Sequence, residues 1–384
     1  MDAVVRSDGP GATSRALRVT EKALPEHNRQ HNRSLVLQTL LRSGPMSRAD
    51  IARTSVLTRV TISNLVNELV ADGIVKELGL RTGTHVGKPA TLVDIDPDAF
   101  RIIALDLSAD DRFVGALVNL RGAILERTEV DVHGKLGEDA FSLVVELCET
   151  LVSRASVRIL GIGVGSPGIV DHSGVVREAP NLGWYELAIA DRLSRRFGAP
   201  VHVGNDANAA ALGVHSFRQT SGQSLMVITI EHGVGAGVII GGALVEGEQC
   251  AAGEIGHVVI DEDGDLCSCG RRGCLELTLA APHLRRRLAA APAAEHAGIL
   301  GDAGRALGIA LSPVVSVLNL NDVVLAGPPE IIDGPLLEET RSTIRNRTMS
   351  AVNNGLDVRL ATAGEELVLL GAAVLVLSAE LGVS

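Results

Sequence analysis

Three cysteines and one histidine stand close together in the second half of this sequence, at His257, Cys267, Cys269 and Cys274. Three thiolates and one imidazole complete a tetrahedral zinc shell, and glycines between them permit the sharp turns that bring the sulfurs together. Because no coordination position stays open, such a Zn²⁺ would be structural. The alternative is a surface loop with reduced cysteines.

The chain has two further cysteines, Cys148 and Cys250. The odd total of five and the tight spacing of the last three argue against a disulfide framework and favour a metal site.

A carboxylate and an amide, Asp206 and Asn205, lie between an apolar strand at 200–203 and a helix that follows. Polar side chains at the carboxyl end of a strand point into a cleft, where this pair could hold vicinal hydroxyls. The alternative is that Asp206 is a helix cap that satisfies backbone N–H groups. The residues alone leave the two interpretations equally open.

Two glutamates, Glu254 and Glu276, flank the cysteine segment. Zinc would hold both near His257, whose second ring nitrogen stays free for a ligand. Acidic groups beside an imidazole, without a basic cluster, suit a neutral polyol better than an anionic substrate. The glycine-rich loop 163–168 could approach such a ligand through its backbone, although glycines alone are a weak signal.

The elements that must position these groups form two similar sets. Strands are predicted at 102–107, 112–119 and 124–132, and again at 225–231, 235–240 and 243–246. Each set is followed by helices, predicted at 137–155, 187–196 and 207–214 and then within 280–318, with a strand at 322–326 and a last helix at 367–377. The repetition predicts an internally duplicated α/β fold of two lobes with a cleft between them.

The N-terminal part predicts a winged helix-turn-helix. Three helices are expected, at 29–43, from Ser47 with Asp50 as a capping box, and from Thr58, followed by a hairpin of 74–80 and 90–95. The third helix has one apolar face, and its other residues could contact bases and phosphates in a major groove. The candidate DNA contacts are Arg59, Thr61, Ser63, Asn64 and Asn67 on that helix, and Arg81 and Lys88 on the wing. The alternative is a small helical domain with a solvated polar face.

Charge supports this division weakly. The first 93 residues carry 13 basic and 8 acidic side chains, whereas the whole chain has a net charge of −11. A basic N-terminal part on an acidic body suits nucleic-acid binding. We predict a flexible segment at 1–27, a DNA-binding domain at 28–97, and a body at 98–384 that contains the zinc loop 257–276.

Composition argues against membrane insertion and secretion. Apolar residues make up 46% of the chain and aromatic residues 2%. No apolar run approaches the roughly 20 residues that cross a bilayer, and the N-terminus lacks a signal pattern. A cytoplasmic protein without a membrane partner is expected.

Several motifs resemble the ROK family, which comprises repressors and sugar kinases on an actin/hexokinase-like (ribonuclease H-like) fold. They are GVGSPGIVD at 163–171, APNLGW at 179–184, GNDANAAALG at 204–213, GEIGH at 253–257 and CSCGRRGCLE at 267–276. The cysteine motif with the preceding GEIGH is highly specific. The N-terminal part is similar to the winged helix-turn-helix that the family's regulators carry and its kinases lack.

The resemblance implies residue roles. Sugar contacts fall on Asn205, Asp206, Glu254, His257 and Glu276, and the zinc ligands on the four residues named above. In a kinase, Asp206 would be the catalytic base that takes a proton from the sugar hydroxyl. The resemblance also places Trp184, the only tryptophan, near the cleft mouth.

The sequence departs from the family's kinases in the first phosphate loop. Those kinases have Asp-x-Gly-Gly-Thr, whose backbone amides meet ATP phosphates. Here residues 106–112 read DLSADDR, so that Asp110 and Asp111 bring negative charge where phosphate would lie. The later loops 231–237 and 325–329 are also altered. ATP binding is therefore expected to be weak or absent.

The leading hypothesis is a sugar-responsive regulator, a homodimer or homotetramer that represses carbohydrate genes and binds double-stranded operator DNA and a monosaccharide effector. One rival is an ATP-dependent sugar kinase with a DNA-binding appendage. The other is a sugar-independent regulator whose body only dimerises or binds a protein. Sequence does not name the sugar or the operator, or say whether sugar releases or promotes DNA binding.

Overall fold

The computed structural model describes residues 25–80, 90–217, 222–362 and 364–383. The predicted segment 1–27 lies almost wholly outside these residues, and the wing positions Arg81 and Lys88 lie outside them entirely. The helices are α1 (Pro25–Ser43), α2 (Arg48–Ser55), α3 (Arg59–Ala71), α4 (Gly137–Arg154), α5 (Ile189–Phe197), α6 (Asp206–Phe217), α7 (Leu275–Leu279), α8 (Ala281–Ala290), α9 (His296–Leu318), α10 (Pro329–Ile332), α11 (Pro335–Arg347), α12 (Ser350–Asn353) and α13 (Leu367–Leu381).

The strands form four sheets. They are β1 (Met46–Ser47), β2 (Val75–Leu80), β3 (Thr91–Ile95), β4 (Arg101–Asp106), β5 (Arg112–Val118), β6 (Ile124–Asp131), β7 (Ile159–Ser166), β8 (Ile169–Val170), β9 (Val176–Ala179), β10 (Trp184–Leu187), β11 (Val201–Asn205), β12 (Leu225–Ile230), β13 (Val234–Ile240), β14 (Ala243–Leu244), β15 (Asp322–Ala326) and β16 (Asp357–Leu360).

The N-terminal head, residues 25–80 and 90–95, has the predicted winged helix-turn-helix outline. The Ser47 hydroxyl accepts a hydrogen bond from the Asp50 amide and caps α2, and the Thr58 hydroxyl accepts from the Thr61 amide and caps α3. Strands β2 and β3 pair as the predicted hairpin. The short strand β1, which pattern alone did not reveal, pairs with β3.

The body contains two five-stranded sheets of the same topology, as the repeated strand pattern predicted. In the first lobe the order is β11-β7-β4-β5-β6, and in the second it is β14-β13-β12-β15-β16. Each sheet has an antiparallel three-strand meander. One further strand pairs in parallel with the first strand of the meander, and the last strand pairs in parallel with that one.

Helices α6 and α13 lie between the two sheets. Helix α13 packs on β4 and β7 of the first lobe, whereas α6 packs on β12 and β13 of the second. Glycine lets the two helices approach closely, because a Cβ atom on Gly371 would lie 1.7 Å from the Ala209 carbonyl oxygen. A Cβ atom on Gly213 would lie 2.5 Å from the Leu367 carbonyl oxygen. The contact between the lobes thus depends on backbone touching backbone.

Helix α9 is, among the described residues, long and apolar enough to cross a membrane by length and composition alone. It packs against α7, α8 and α11, and its buried face, which includes Leu300, Leu307 and Leu311, belongs to the apolar core of the second lobe. These contacts are those of a core helix. The helical stretch expected within 280–318 is divided, since α8 ends at Ala290 before Pro292.

The glycine contact between the lobes predicts a large loss of stability for Gly371→Ala. The added methyl group cannot fit beside the Ala209 carbonyl, so α6 and α13 must separate, which costs about 3 kcal/mol or more. Urea unfolding followed by circular dichroism measures the change. Gly298→Ala in α9 is the matched control, because nothing lies within 4 Å of its Cβ position. Equal stability of the two variants would contradict this account of the interface.

Candidate functional site

The predicted metal ligands come together in the structure. One ligand atom from each of His257, Cys267, Cys269 and Cys274 lies within 4.8 Å of the other three. The Cys267 Sγ to His257 Nδ1 distance and the Cys269 Sγ to Cys274 Sγ distance are both 3.6 Å. Tetrahedral zinc, with Zn–S near 2.3 Å and Zn–N near 2.0 Å, separates its ligands by about this distance. The donor set and spacing therefore fit a metal ion.

The loop around the cluster is held by glycine turns and by two isolated β-bridges. Gly270 and Gly273 both have positive φ, and a Cβ atom on Gly273 would lie 1.5 Å from the Asp261 carbonyl oxygen. The Cys267 amide donates to the Arg271 carbonyl at 2.7 Å. Burial raises the pKa of the Cys274 thiol to about 12, with the neighbouring thiols adding to the shift. A cation would relieve this crowding of sulfurs.

The ring of His257 lies between the cysteines of the cluster and the cleft. Its Nδ1 atom faces Cys267, while its Nε2 atom lies 4.0 Å from a carboxylate oxygen of Glu254. Glu276 lies in the first turn of the short helix α7 and accepts from the Val234 amide at 3.3 Å, so its carboxylate is directed to the start of β13. The structure therefore brings Glu254, His257 and Glu276 together, as predicted.

Asn205 and Asp206 have different hydrogen-bond partners in the structure. Asn205 is the cap: its Oδ1 accepts from the Asn208 amide at 3.0 Å, and its Nδ2 donates to the Gly168 carbonyl at 3.0 Å. Asp206 starts α6, and its Oδ1 accepts only from the adjacent Ala207 amide among the hydrogen bonds described. Asn205 thus ties the start of α6 to the 163–168 loop, and contact of either residue with a sugar stays a prediction.

Three carboxyl groups of the cleft have raised pKa values. Burial raises the pKa of Asp206 to about 7, and the charges of Asp106 and Glu254 act in the same direction. Burial also raises the pKa of Glu254, against the opposing effect of His257. Burial likewise raises the pKa of Asp106, although its hydrogen bonds from Ser108 oppose the shift. Carboxyl groups with shifted pKa values in a cleft are typical of functional sites.

Asp106 also lines a cavity of about 520 Å³. It is lined by the altered loop 106–112 and by residues from Thr229 and from Leu325 onwards. The cavity therefore lies where the sequence places the altered loops. Asp111 lines the cavity, whereas Asp110 accepts a hydrogen bond from Asn181 at 2.9 Å. Arg112, Arg127 and Arg285 also line it, so its walls carry both signs of charge, which the sequence did not reveal.

Trp184 does not lie at the cleft mouth as expected. It is 2% exposed, packs on Phe113 in the core of the first lobe, and donates from its indole nitrogen to the Gly137 carbonyl at 2.9 Å. The small sheet of β8, β9 and β10 carries it inward. Its fluorescence therefore reports on the first lobe and not on direct sugar contact.

The candidate DNA contacts differ in availability. Arg59 and Asn64 are exposed on α3, and Ser63 is half-buried. The Thr61 hydroxyl lies 2.9 Å from the Thr58 hydroxyl that caps the helix. Asn67 is exposed, but its carbonyl oxygen accepts from Arg48 at 3.1 Å.

Two valines of the head were missed as functional candidates. Val56, in the turn before α3 with φ of 58°, is 90% exposed, and Val60 on the first turn of α3 is 71% exposed. A β-branched residue rarely adopts positive φ, and apolar side chains on a recognition helix contact thymine methyl groups. In the sequence, only the position of Val60 off the apolar stripe of α3 could have signalled its exposure, because Val56 lies in the turn before that helix.

Some known proteins are similar to the body of this chain, and others are similar to the head and body together. A model described as "ROK family" matches residues 102–379. The xylose repressor of Bacillus subtilis (strain 168) is 26% identical over 88% of this chain and 93% of its own length. The glucokinase of Thermotoga maritima is 31% identical over 62% of this chain and 86% of its own length.

A solved structure is similar over nearly the whole chain. The crystal structure of a ROK family transcriptional regulator, a homolog of the E. coli MLC protein, has a TM-score of 0.81 and 24% sequence identity, covering 93% of this chain and 98% of that one. At this identity the match establishes the fold, including the N-terminal head.

The metal cluster predicts a clear result for Cys269→Ser. This cysteine is exposed, so its loss leaves the core unchanged but removes one ligand. We expect the zinc content of the purified protein to fall well below one ion per chain and its Tm to fall by roughly 5 °C. Elemental analysis and scanning calorimetry measure the two changes. Cys250→Ser, outside the cluster, should retain both values, and retention by Cys269→Ser would exclude it as a ligand.

The raised pKa of Asp206 predicts how stability depends on pH. Its carboxyl ionises near 3.8 in the unfolded chain but near 7 when folded, so the folded protein holds the extra proton between these values. Stability from this group is therefore lost as pH rises through that window. Relative to wild type, Asp206→Asn should be more stable at pH 8 than at pH 5 by about 2 kcal/mol.

Urea unfolding of zinc-loaded protein at both pH values measures this difference. Asp302→Asn, which changes an exposed carboxylate on α9, is the control and should show no such difference. If Asp206→Asn behaves like the control, the buried Asp206 carboxyl is not the source of the pH dependence.

Proposed function

The chain belongs to the ROK family, and we propose that it is a sugar-responsive DNA-binding transcriptional regulator that represses genes of carbohydrate metabolism. One observation carries this function above all. A capped winged helix-turn-helix shares a chain with a body that has a Cys3His cluster beside Glu254 and a first phosphate loop without glycines. The near full-length likeness to a named xylose repressor supports the same function.

The metal of the cluster is proposed to be Zn²⁺. Three thiolates and one imidazole leave no open coordination position, so the ion would be structural. Bound zinc would take the Nδ1 atom of His257 and leave Nε2 for a ligand. Through the loop it would also hold Glu254 near that nitrogen and Glu276 near the Cys267 sulfur.

The effector is proposed to be a monosaccharide bound through Asp206, Glu254, His257 and Glu276, with Asn205 securing the adjacent loop. Carboxylates accept hydrogen bonds from sugar hydroxyls, and the half-buried ring of His257 either accepts or donates. These residues come from β11, α6, the 253–257 loop and α7, so they belong to different lobes. A sugar that bridges them favours a closed cleft.

The nucleic-acid partner is proposed to be a double-stranded, palindromic operator contacted by α3, with Arg59 and Asn64 as its main base and phosphate contacts. A homodimer or homotetramer would present two heads to the two half-sites. Arg81 and Lys88 remain candidate wing contacts. A regulator of this kind acts on chromosomal DNA, which places it in the cytoplasm.

A second function, ATP-dependent sugar phosphorylation, has a specific observation in its favour. A carboxyl with a pKa of about 7 suits a general base, and the 520 Å³ cavity beside Asp106 persists. The missing glycines and the acidic residues of 106–112 speak against it. ADP formation with any hexose or pentose, lost in Asp206→Asn, would establish the kinase.

The regulator is tested by binding of the full-length zinc-loaded protein to the DNA upstream of its own gene. Gel shifts are run with a panel of monosaccharides, xylose first because of the relative's name. One sugar should change the apparent DNA affinity by about fivefold or more. Glu254→Gln should abolish that response without changing DNA binding in the absence of sugar.

Asp302→Asn is the matched control and should respond as wild type does. Calorimetry on the same samples measures sugar binding directly. Sugar binding without any change in DNA affinity would contradict sugar control of the operator.

A further inference from the structure

At the rim of the cleft, outside the metal cluster, a histidine lies between a cysteine and a glutamate. The Cys250 Sγ atom lies 3.6 Å from the Nε2 atom of His172. The other ring nitrogen of His172, Nδ1, lies 3.5 Å from a carboxylate oxygen of Glu246. A thiol facing an imidazole that a carboxylate orients is the arrangement that activates a cysteine nucleophile.

The three residues come from both lobes. His172 lies in the turn between β8 and β9 of the first lobe, and Glu246 and Cys250 lie in the loop after β14 of the second. That loop continues directly into Gly253 and Glu254, which line the cleft. The contact therefore spans the opening through which a ligand would enter.

The backbone at Cys250 is strained in the way that functional positions often are. Its φ is 54°, in the left-handed region that a residue with a Cβ atom adopts only at a cost. This conformation, closed by a hydrogen bond from the Cys250 amide to the Gly247 carbonyl, directs the side chain towards His172.

The other four cysteines either belong to the metal cluster or are buried in the core. Cys267, Cys269 and Cys274 form the metal cluster, and Cys148 is fully buried in the core of the first lobe, where burial raises the pKa of its thiol to about 12. Cys250 is partly exposed. It is therefore the thiol outside the metal cluster that combines solvent access with a neighbouring imidazole.

We propose that Cys250 is a peroxide-reactive thiol, activated by His172 and Glu246, whose oxidation loosens the contact between the two lobes. This site is separate from the proposed sugar and DNA sites and does not depend on which sugar the cleft takes.

The chemistry balances with hydrogen peroxide as the oxidant. His172, with its proton on Nδ1 towards Glu246, takes the thiol proton on Nε2. The thiolate attacks one peroxide oxygen, so that an S–O bond forms as the O–O bond breaks. The departing hydroxide takes the proton back from Nε2 and leaves as water. Sulfur loses two electrons, peroxide gains them, and the product is a sulfenic acid.

Oxidation changes the contact as well as the sulfur. An oxygen added on the side of the His172 Nε2 atom does not fit between two atoms that are 3.6 Å apart, so with this orientation His172 and the sulfur have to separate. Because they belong to different lobes, the 166–175 and 245–254 segments should become more mobile together.

The first test measures the rate of sulfenic acid formation at Cys250. Full-length, zinc-saturated protein is treated with hydrogen peroxide, trapped with a cyclic 1,3-diketone, and mapped by mass spectrometry so that each cysteine is read separately. His172→Gln should slow trapping at Cys250 about tenfold, and Glu246→Gln should slow it less, because the imidazole is the base.

His202→Gln is the matched control. His202 also pairs with a glutamate, Glu380, at 2.8 Å, but it does not face a thiol in the hydrogen bonds described. It should react at the wild-type rate. Equal rates at Cys250 in wild type and His172→Gln would overturn the proposal.

The second test measures mobility by hydrogen–deuterium exchange of the reduced and oxidised proteins. Exchange in both rim segments should rise severalfold on oxidation of wild type and stay unchanged in Cys250→Ser, which cannot form the sulfenic acid. Oxidation of Cys250 without any change in these segments would overturn the coupling to the lobes.

Discussion

The close packing of α6 against α13 is the contact on which the arrangement of the body depends. Each helix covers a different five-stranded sheet, and the two helices meet where Gly371 and Gly213 lie against carbonyl groups. A contact of this kind has no side chains that can rearrange to fill a gap. The two lobes therefore meet closely at this crossing, and closure of the cleft must take place about it.

This joint also places the chemistry. Helix α6 begins at Asp206, so this half-buried carboxyl lies at the start of the helix that supports the second sheet. Across the cleft, His257 and Glu254 lie beside a loop that has the Cys3His cluster and glycine turns. Two rigid supports thus face each other, and a ligand that contacts both reports on the distance between them.

Local patterns predicted those features whose interacting residues are close in sequence. The cysteine spacing located the metal cluster, and Ser47 and Thr58 located the starts of α2 and α3, because caps and ligands act within a few residues. Trp184 was misplaced because its burial depends on the small sheet of β8 to β10. Cys250 and His172 are separated by 78 residues, and no local signal links them.

The head packs directly against the body. Buried side chains of α1, α2 and α3 share one apolar cluster with β4, β5 and α13. The Ser34 hydroxyl of α1 donates to the Leu381 carbonyl at 3.2 Å, and Gly382 fits against Ser34 where a Cβ atom would clash. Helix α13 thus touches α6, which carries Asp206, along its length and touches the DNA-binding head at its end. A shift of α6 relative to the first sheet has a continuous packed route to α1, which is the physical requirement for a sugar to influence DNA binding.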